Sequence, residues 1–449
     1  MDRMNLSRLL IPSRLGCPEA YAASTAGRTE FQRDFDRVLF SSAFRRLQSK
    51  TQVFPFPETA MIHTRLTHSL ETSSVGRSLG TIAAEKLNNG RCRPKVDPRN
   101  IGAIVSAACL AHDIGNPPFG HSGEKAIVEF FEGEHGQAFL TGMTDEQRQD
   151  FVQFDGNAMG FRLLTHSNPK LTSVSGGLGL TYPTLAAFVK YPCSASNIEE
   201  EGRRVSRKKA GLFSSSVEVY SQIAHVLELP TGGCSGAWAR HPLAFLTEAA
   251  DDICYTITDL EDGHRHRLVD RDEVKSRLLE IALVHMTETD LKNMERIYDD
   301  RNKIGYLRAK AINSLICQVA DAFDENAEQI ISGEYDLQLT DQVASSQALK
   351  DIQKLSRDRI YSHRTILQIE AAGFQVVPGL LNMFLSALKW PARPSSKKVR
   401  SLIPDEYVPD PEKSRHETVM SITAYVAGMT DTFAVELYRN LMGFHLPKY

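Results

Sequence analysis

The stretch IGAIVSAACLAHDIG, residues 101–115, decides the fold because its apolar residues recur at helical spacing. One face of this helix consists of Ile101, Val105, Ala108 and His112. The pattern ends at Gly115, and the Asn-Pro-Pro that follows does not favour a helix. We therefore predict that the ring of His112 points into the core and that Asp113 lies beside it at the end of the helix.

Helical periodicity also governs the rest of the chain. In HTRLTHSLETSSVGRSLGTIAAEKL, residues 63–87, one face consists of His68, Thr72, Val75, Leu79 and Ile82. Further helices are predicted at residues 241–263, 272–295, 300–331 and 414–442. The alternation typical of strands is short and rare, with Thr51–Phe54 as the best example. The sequence therefore predicts an all-α, mostly helical fold with minor β structure.

Neither polar segment of the chain has the length or bias of an interdomain linker. Residues 193–216 combine serine, glycine and a charge run, which indicates a surface loop, and residues 391–413 form a second polar connector. We predict a single large helical body over residues 1–449. Within it, a core at about 43–263 carries the motifs, and a helical C-terminal region covers about 264–449.

The composition is that of a soluble globular protein. Of 449 residues, 42% are apolar and 24% charged, and the net charge of -3 argues against a surface that binds nucleic acid throughout. Seven dispersed cysteines without a CxxC pair are typical of reduced thiols in the cytosol. The first residues have no apolar stretch long enough for a signal peptide, and no run approaches a membrane span. We therefore expect a cytoplasmic protein without membrane association.

The pair His112-Asp113 is the first candidate for chemistry. A buried carboxylate is costly unless it pairs or binds a metal, and an imidazole with a carboxylate suits a divalent first-row cation. In isolation, a core histidine with a helix-capping aspartate explains the pair equally well. His68 favours the metal, because it also continues an apolar helical face, with Arg65 one turn before it.

A second acidic feature lies on a later helix. Asp251, Tyr255 and Asp259 are spaced four residues apart, which places two carboxylates and a phenol on one face. The same helix is flanked by apolar residues, so surface decoration is a poor explanation for these acids.

The order of His68, His112-Asp113 and a distant helical aspartate resembles the H…HD…D signature of the HD superfamily. More specifically, six segments resemble the deoxyguanosine-triphosphate triphosphohydrolases, or dGTPases. They are FRRLQSKTQVFP (44–55), TRLTHSLE (64–71), AHDIGNPPFGHSGE (111–124), FDGNAMGFR (154–162), KYP (190–192) and EAADDICYTITDLEDG (248–263). The resemblance covers about the first 263 residues and implies that the motif-bearing core is an HD domain.

This resemblance implies an enzyme that hydrolyses dGTP, or deoxynucleoside triphosphates in general, to a deoxynucleoside and tripolyphosphate. It implies one divalent metal ion per subunit, Mn²⁺, Mg²⁺ or another first-row ion, which would polarise the α-phosphate and acidify a bound water. The implied ligands are His68, His112, Asp113 and Asp251. Open positions would remain for water and a phosphate oxygen.

The resemblance also assigns roles around the metal. His121 and Glu124, near the start of a helix whose free N–H groups attract phosphate, are the implied catalytic pair, with Glu124 orienting the ring. The implied substrate contacts are Gln52, Arg65, Asn157, Lys190, Tyr191, Tyr255 and Asp259. Among them, Arg65 and Lys190 would neutralise the triphosphate, Gln52 and Asp259 would contact the sugar, and Tyr255 would exclude a 2′-hydroxyl.

Two adjacent acids compete for the fourth ligand position. Neighbouring residues on a helix point about 100° apart, so Asp251 and Asp252 cannot both meet one ion equally well. Asp251 shares its face with Tyr255 and Asp259, and the family register also favours it. We expect Asp252 to support a ligand or contact a phosphate instead.

Alternatives remain at this point. The residue four after His112 is Asn116, so the loop offers no immediate extra imidazole, but recruitment of His121 would suit a two-metal phosphodiesterase. An HD phosphohydrolase for another nucleotide and a regulatory protein with a vestigial pocket are further alternatives. The resemblance implies a homo-oligomer, a hexamer or tetramer, and leaves open a nucleotide or single-stranded DNA effector.

Overall fold

The computed structural model describes residues 4–17, 27–53, 63–89, 95–167, 175–199, 204–410 and 412–444. The helices of the first half are α1 (Leu6–Leu9), α2 (Glu30–Leu39), α3 (Ser42–Arg46), α4 (Arg65–Asn89), α5 (Pro98–Ala111), α6 (Gly120–Glu132), α7 (Glu134–Leu140), α8 (Asp145–Val152), α9 (Gly156–Thr165), α10 (Tyr182–Phe188) and α11 (Val217–Leu227). Those of the second half are α12 (Pro242–Arg265), α13 (Arg271–Ala282), α14 (Glu288–Glu295), α15 (Asp300–Glu325), α16 (Ala327–Ser332), α17 (Ser346–Leu355), α18 (Arg364–Lys389), α19 (Pro394–Arg400), α20 (Arg415–Ala427) and α21 (Asp431–Leu441).

The prediction of an all-α fold with minor β structure is confirmed. Within the described residues, β structure is limited to isolated bridges, one of which pairs Thr51 with Thr64. Phe54, at the end of the predicted strand, lies outside the described residues.

Three central helices, α4, α5 and α12, pack against one another and position the site. Helix α5 begins at an Asp97 cap followed by proline, as favoured at a first helical position. Small residues let α4 and α5 approach closely: a Cβ on Gly80 would come within 3.0 Å of the Cα of Gly102. The faces predicted for α4 and α5 are the ones that pack inward, and both His68 and His112 are buried.

The described residues form two hydrophobic cores. The first contains α4, α5, α12 and α15, while the second lies between α6 and the C-terminal helices α18, α20 and α21. By length and composition, α18 could cross a membrane, with a mean hydropathy of 1.5 over an 18-residue window. A buried core helix passes the same test, and Leu380, Leu381 and Phe384 of α18 are fully buried in the second core.

Three helices predicted from periodicity are each divided in two. The predicted helix 272–295 is α13 and α14, because Thr287 caps a new helix through a reciprocal hydrogen-bond pair with Asp290. The predicted helix 300–331 is α15 and α16, and 414–442 is α20 and α21, with Thr430 as a cap.

The two polar segments differ from each other. Residues 391–413 were predicted to be a connector, but they contain α19, which begins at Pro394 in the favourable first position. Residues 193–216 form a loop with short 3₁₀ turns at Ala195–Asn197, Val205–Arg207 and Ser214–Ser216, and residues 200–203 lie outside the described part. The division of the chain at about residue 263 stays a prediction.

Candidate active site

His68 of α4, His112 at the end of α5 and Asp251 of α12 form a compact group. One potential ligand atom from each lies within 4.8 Å of the others. The Oδ1 atom of Asp251 is 3.1 Å from Nε2 of His68 and 3.2 Å from Nε2 of His112. The two imidazole centroids are 5.1 Å apart, with ring planes at 68°. The three packed helices therefore bring three of the four predicted ligands together.

The orientation of the His112 ring suits this group to a metal ion. Its Nδ1 atom lies 2.7 Å from the carbonyl oxygen of Cys109, which can only accept, so the proton is on Nδ1. Nε2 faces Oδ1 of Asp251 at 3.2 Å. Burial would lower the pKa of His112, but Asp113 and Asp251 outweigh it and raise that pKa. A metal ion could take the place of a proton between Nε2 and this carboxylate, and the Nδ1 bond would fix the ring.

The adjacent acids Asp251 and Asp252 lie in different surroundings. Asp251 Oδ2 is 2.5 Å from Nζ of Lys190, while Asp252 Oδ2 accepts a hydrogen bond of 2.9 Å from Thr340. Burial would raise the pKa of Asp251, but Lys190 and His112 outweigh it and hold that pKa well below its usual value. Burial and Glu248 raise the pKa of Asp252 to about 7. The geometry brings Asp251, and not its neighbour, to the imidazoles.

Asp113 lies beside the group, and its oxygens contact other residues. Oδ1 is 3.6 Å from Nε2 of His112 and accepts from the Asn116 side chain, while Oδ2 is 2.9 Å from Nη1 of Arg65. Burial would raise the pKa of Asp113, but Arg65 and His112 lower it below its usual value. Asp113 as a fourth ligand stays a prediction, and Arg65 is tied to the group through it.

A cavity of about 180 Å³ lies next to this group. Its lining consists of Thr51, Gln52, Val53, Arg65, Phe119, Gly120, His121, Tyr255, Tyr361, Ile366, Ile369 and Glu370. Four residues singled out from the sequence therefore meet in one space: Gln52, Arg65, His121 and Tyr255. Within the described residues, the Oε1 atom of Gln52 is buried without a hydrogen-bond partner.

His121 and Glu124 occupy the first turn of α6 but face different surroundings. His121 is exposed by surface area, but desolvation by the neighbouring protein, together with Arg65, lowers the pKa of its ring. Glu124 is buried, and its Oε1 accepts a 2.9 Å hydrogen bond from the amide of Gly156. Burial raises the pKa of Glu124 to about 7. No hydrogen bond joins His121 to Glu124 within the described residues, so orientation of the ring by Glu124 stays a prediction.

Tyr361 belongs to the site but was not predicted from the sequence. It ends a π-helical turn, Ser356–Tyr361, a kind of turn that is frequent at functional sites. Its hydroxyl donates to Oδ2 of Asp259, and its ring lies 6.3 Å from that of Tyr255, with planes at 31°. This hydrogen bond joins Asp259 to a tyrosine that lines the cavity. Burial raises the pKa of Asp259 to about 7.

The other predicted substrate contacts lie near the site without lining the cavity. Lys190 pairs with Asp251, and burial raises the pKa of Tyr191 to about 12. The backbone and side-chain amides of Asn157 both donate to Asp155 Oδ1 at 2.7 Å, which caps α9. Asp155 in turn pairs with Lys209 at 3.0 Å, a lysine from the predicted surface loop that sequence reasoning did not assign.

Lys50 is a second residue that sequence reasoning missed. It is almost fully buried, and its ammonium donates to the carbonyl oxygens of Asn116, at 2.5 Å, and Ala427, at 2.8 Å. Burial lowers the pKa of Lys50 to about 7. It lies within a quoted motif, but only its packing distinguishes it from an ordinary surface lysine.

Comparisons with known proteins identify the family of this chain. The HD domain family model matches residues 65–148, and that of the phosphohydrolase-associated domain matches residues 337–440. Proteins of Synechocystis sp. and Pseudomonas aeruginosa, both named deoxyguanosinetriphosphate triphosphohydrolase-like, are 38% and 37% identical over 99% of this chain and 100% of their own. A Salmonella arizonae protein named deoxyguanosinetriphosphate triphosphohydrolase is 28% identical over 92% of this chain and 93% of its own. As its motifs indicated, the chain is an HD-domain hydrolase that belongs to the deoxyguanosinetriphosphate triphosphohydrolase-like family.

Proposed function

We propose that this hydrolase cleaves a deoxynucleoside triphosphate, dGTP or dNTPs in general, to a deoxynucleoside and tripolyphosphate. The main support for the proposal is that the His68–His112–Asp251 group lies next to a cavity lined by Gln52 and Tyr255. Tyr255 lies one helical turn from Asp251, so sugar and phosphate sites would adjoin on α12. The names of the relatives supply the substrate class.

We place one divalent metal ion at His68, His112 and Asp251, with Asp113 as the fourth ligand. Such an ion supplies Lewis acidity to a phosphoryl oxygen and lowers the pKa of a bound water. Arg65, which pairs with Asp113 and lines the cavity, would hold phosphate oxygens through its remaining N–H groups.

His121 is the group best placed to exchange a proton in the cavity. Its lowered pKa leaves the ring largely neutral at pH 7, so that it can accept a proton and then return it. Lys190, through its contact with Asp251, would hold that carboxylate and present positive charge toward the phosphates.

In this proposal, the residues around the sugar select deoxynucleotides over ribonucleotides. The buried Oε1 of Gln52 has no hydrogen-bond partner among the described residues and would accept from a sugar hydroxyl. Asp259 lies beside Tyr361 and would contact the sugar together with it. The Tyr255 ring on the cavity wall would leave no room for a 2′-hydroxyl.

The test is incubation with each of the four dNTPs and with GTP, with and without Mn²⁺ or Mg²⁺, followed by phosphorus NMR. We expect tripolyphosphate as the first product from at least one dNTP and little reaction of GTP. Orthophosphate or pyrophosphate as the first product would overturn the reaction, and equal rates on GTP and dGTP would overturn the sugar gate. A parallel incubation with nucleoside monophosphates and cyclic nucleotides tests the alternative phosphohydrolase, and hydrolysis of these substrates alone would favour it.

The role of His121 has its own test. Proton transfer by a positioned side chain contributes about 10²–10⁴-fold, so His121→Ala should lose activity in that range while its metal content is unchanged. Loss of metal in this variant would instead identify His121 as a ligand and favour a two-metal site.

A further inference from the structure

A carboxylate from the C-terminal region lies between two loops of the cavity. Asp431, the first residue of α21, is buried, and its Oδ1 accepts a 3.0 Å hydrogen bond from the amide of Phe119. Its Oδ2 accepts a 2.9 Å hydrogen bond from the amide of Thr51. One side chain therefore holds the residue before Gln52 and the residue two positions before His121.

The backbone that Asp431 holds is unusual. Phe119 has a φ of 65° and Gly120 a φ of 57°, so two consecutive residues adopt the left-handed conformation directly before His121. That conformation is unfavourable for a phenylalanine and persists only where its surroundings enforce it. The ring of Phe119 is also held, since a Cβ on Gly373 of α18 would come within 3.0 Å of it.

Both supports of Phe119 come from the region that matches the phosphohydrolase-associated domain, residues 337–440. Lys50 joins the same region to the site, because its ammonium bridges the carbonyl oxygens of Asn116 and Ala427. A carboxylate that accepts two backbone N–H groups makes strong, directional bonds, so it fixes both loops at once.

We propose that Asp431 is a positioning residue, through which the C-terminal region sets the backbone of the loops that carry Gln52 and His121. This proposal rests on the proposed function for the roles of those two residues. Asp431 itself does not touch the substrate; it acts by keeping Phe119 in the left-handed conformation from which α6 begins.

The test compares Asp431→Asn, Asp431→Ala and a matched control, Asp145→Ala. Asp145 is also the first residue of a helix capped by threonine, but it is exposed and does not line the cavity. Asparagine retains one accepting oxygen for two donors and alanine retains none. The two loops should therefore be best held in wild type, less well held in Asp431→Asn and least well held in Asp431→Ala. The control variant should behave like wild type.

Two readouts follow. Hydrogen–deuterium exchange by mass spectrometry should show peptides covering 48–53 and 116–124 exchanging about tenfold faster in Asp431→Ala, and less so in Asp431→Asn. With dGTP and Mn²⁺, kcat should fall about tenfold in the Asn variant and about a hundredfold in the Ala variant, at unchanged metal content. If the Ala variant does not fold, the Asn variant decides.

Unchanged exchange in both loops for a folded Asp431→Asn, or a kcat within twofold of wild type, would overturn the positioning role. Faster exchange in Asp145→Ala of the same loops would also overturn it, since the effect would not be local. If wild type hydrolyses no dNTP, the proposed function fails, whereas the exchange measurement still decides whether Asp431 fixes the two loops.

Discussion

Replacing Lys190 with methionine tests the metal site without an activity assay. The ammonium of Lys190 lies 2.5 Å from Asp251 Oδ2, and the two side chains are only 11% and 21% exposed. Methionine retains most of the apolar stem and removes the charge. In metal-free protein the Asp251 carboxylate then loses its nearest cation, and breaking a buried ion pair in this way costs about 3–5 kcal/mol.

A metal ion at His68, His112 and Asp251 would change that result. It would neutralise the same carboxylate. The variant would also lose the repulsion between the ion and the ammonium, which for a divalent ion and a unit charge ~4 Å apart at an effective dielectric of ~20 is about 8 kcal/mol before offsetting terms. We therefore expect Lys190→Met to lower the free energy of unfolding by at least about 1.4 kcal/mol less with metal than without it. By linkage, this equals a tenfold gain in metal affinity.

The measurement is the free energy of unfolding in urea for wild type and Lys190→Met, each with EDTA and with saturating Mn²⁺, at one protein concentration. Arg14→Met is the control, because Arg14 and Asp34 form another buried ion pair, 2.6 Å long, that has no contact with the proposed ligands. Its penalty should not depend on metal. Equal penalties for Lys190→Met in the two conditions would refute a metal at this group.

Three further predictions concern the ligand choice, the loop and the pH dependence. Elemental analysis should find metal lost in Asp251→Asn and kept in Asp252→Asn, and the reverse would assign the other carboxylate. Gly115→Ala should lower the free energy of unfolding by about 3 kcal/mol or more, because its Cβ would overlap backbone atoms of α9. Gly305→Ala, in the open interior of α15, should raise it by up to about 1 kcal/mol, and similar melting temperatures for the two variants would contradict this prediction. Burial lowers the pKa of His241 from 6.5 to about 4, so the unfolded chain binds more protons than the folded chain between these pH values. The free energy of unfolding should therefore fall by about 2 kcal/mol between pH 7 and pH 5. His241→Asn, which keeps a helix-capping side chain, should remove that part of the pH dependence in urea unfolding at the two pH values, and an unchanged slope would contradict it.

The sequence was sufficient for the parts of the site that depend on local periodicity. The inward faces of α4 and α5 follow from apolar spacing, and that spacing placed His68 and His112 in the core. The choice of Asp251 over its neighbour rested on the 100° step of a helix and on the family register, and the two acids do lie in different surroundings. The inward faces needed only residues within two or three turns of one another.

Contacts between distant segments could not be predicted in the same way. Tyr361 contacts Asp259 across 102 residues, and Asp431 contacts Phe119 across 312. No spacing rule relates such residues, because tertiary packing alone brings them together. The prediction of helix boundaries was wrong for a different reason. Apolar periodicity continues across the cap at Thr430, so residues 414–442 resembled one helix although the chain turns there.

The loop between α5 and α6 explains why the C-terminal region matters to the chemistry. Its first residues, His112 and Asp113, directly follow α5 of the first core, and His121 lies in the first turn of α6, which belongs to the second core. The distance between the proposed metal ligands and the proposed proton donor is therefore set by how the two cores pack, and not by the loop alone. Since α18, α20 and α21 build the second core around α6, the C-terminal region would determine where His121 lies relative to the metal ligands. This is a physical reason for an HD domain and an associated domain to occur in one chain.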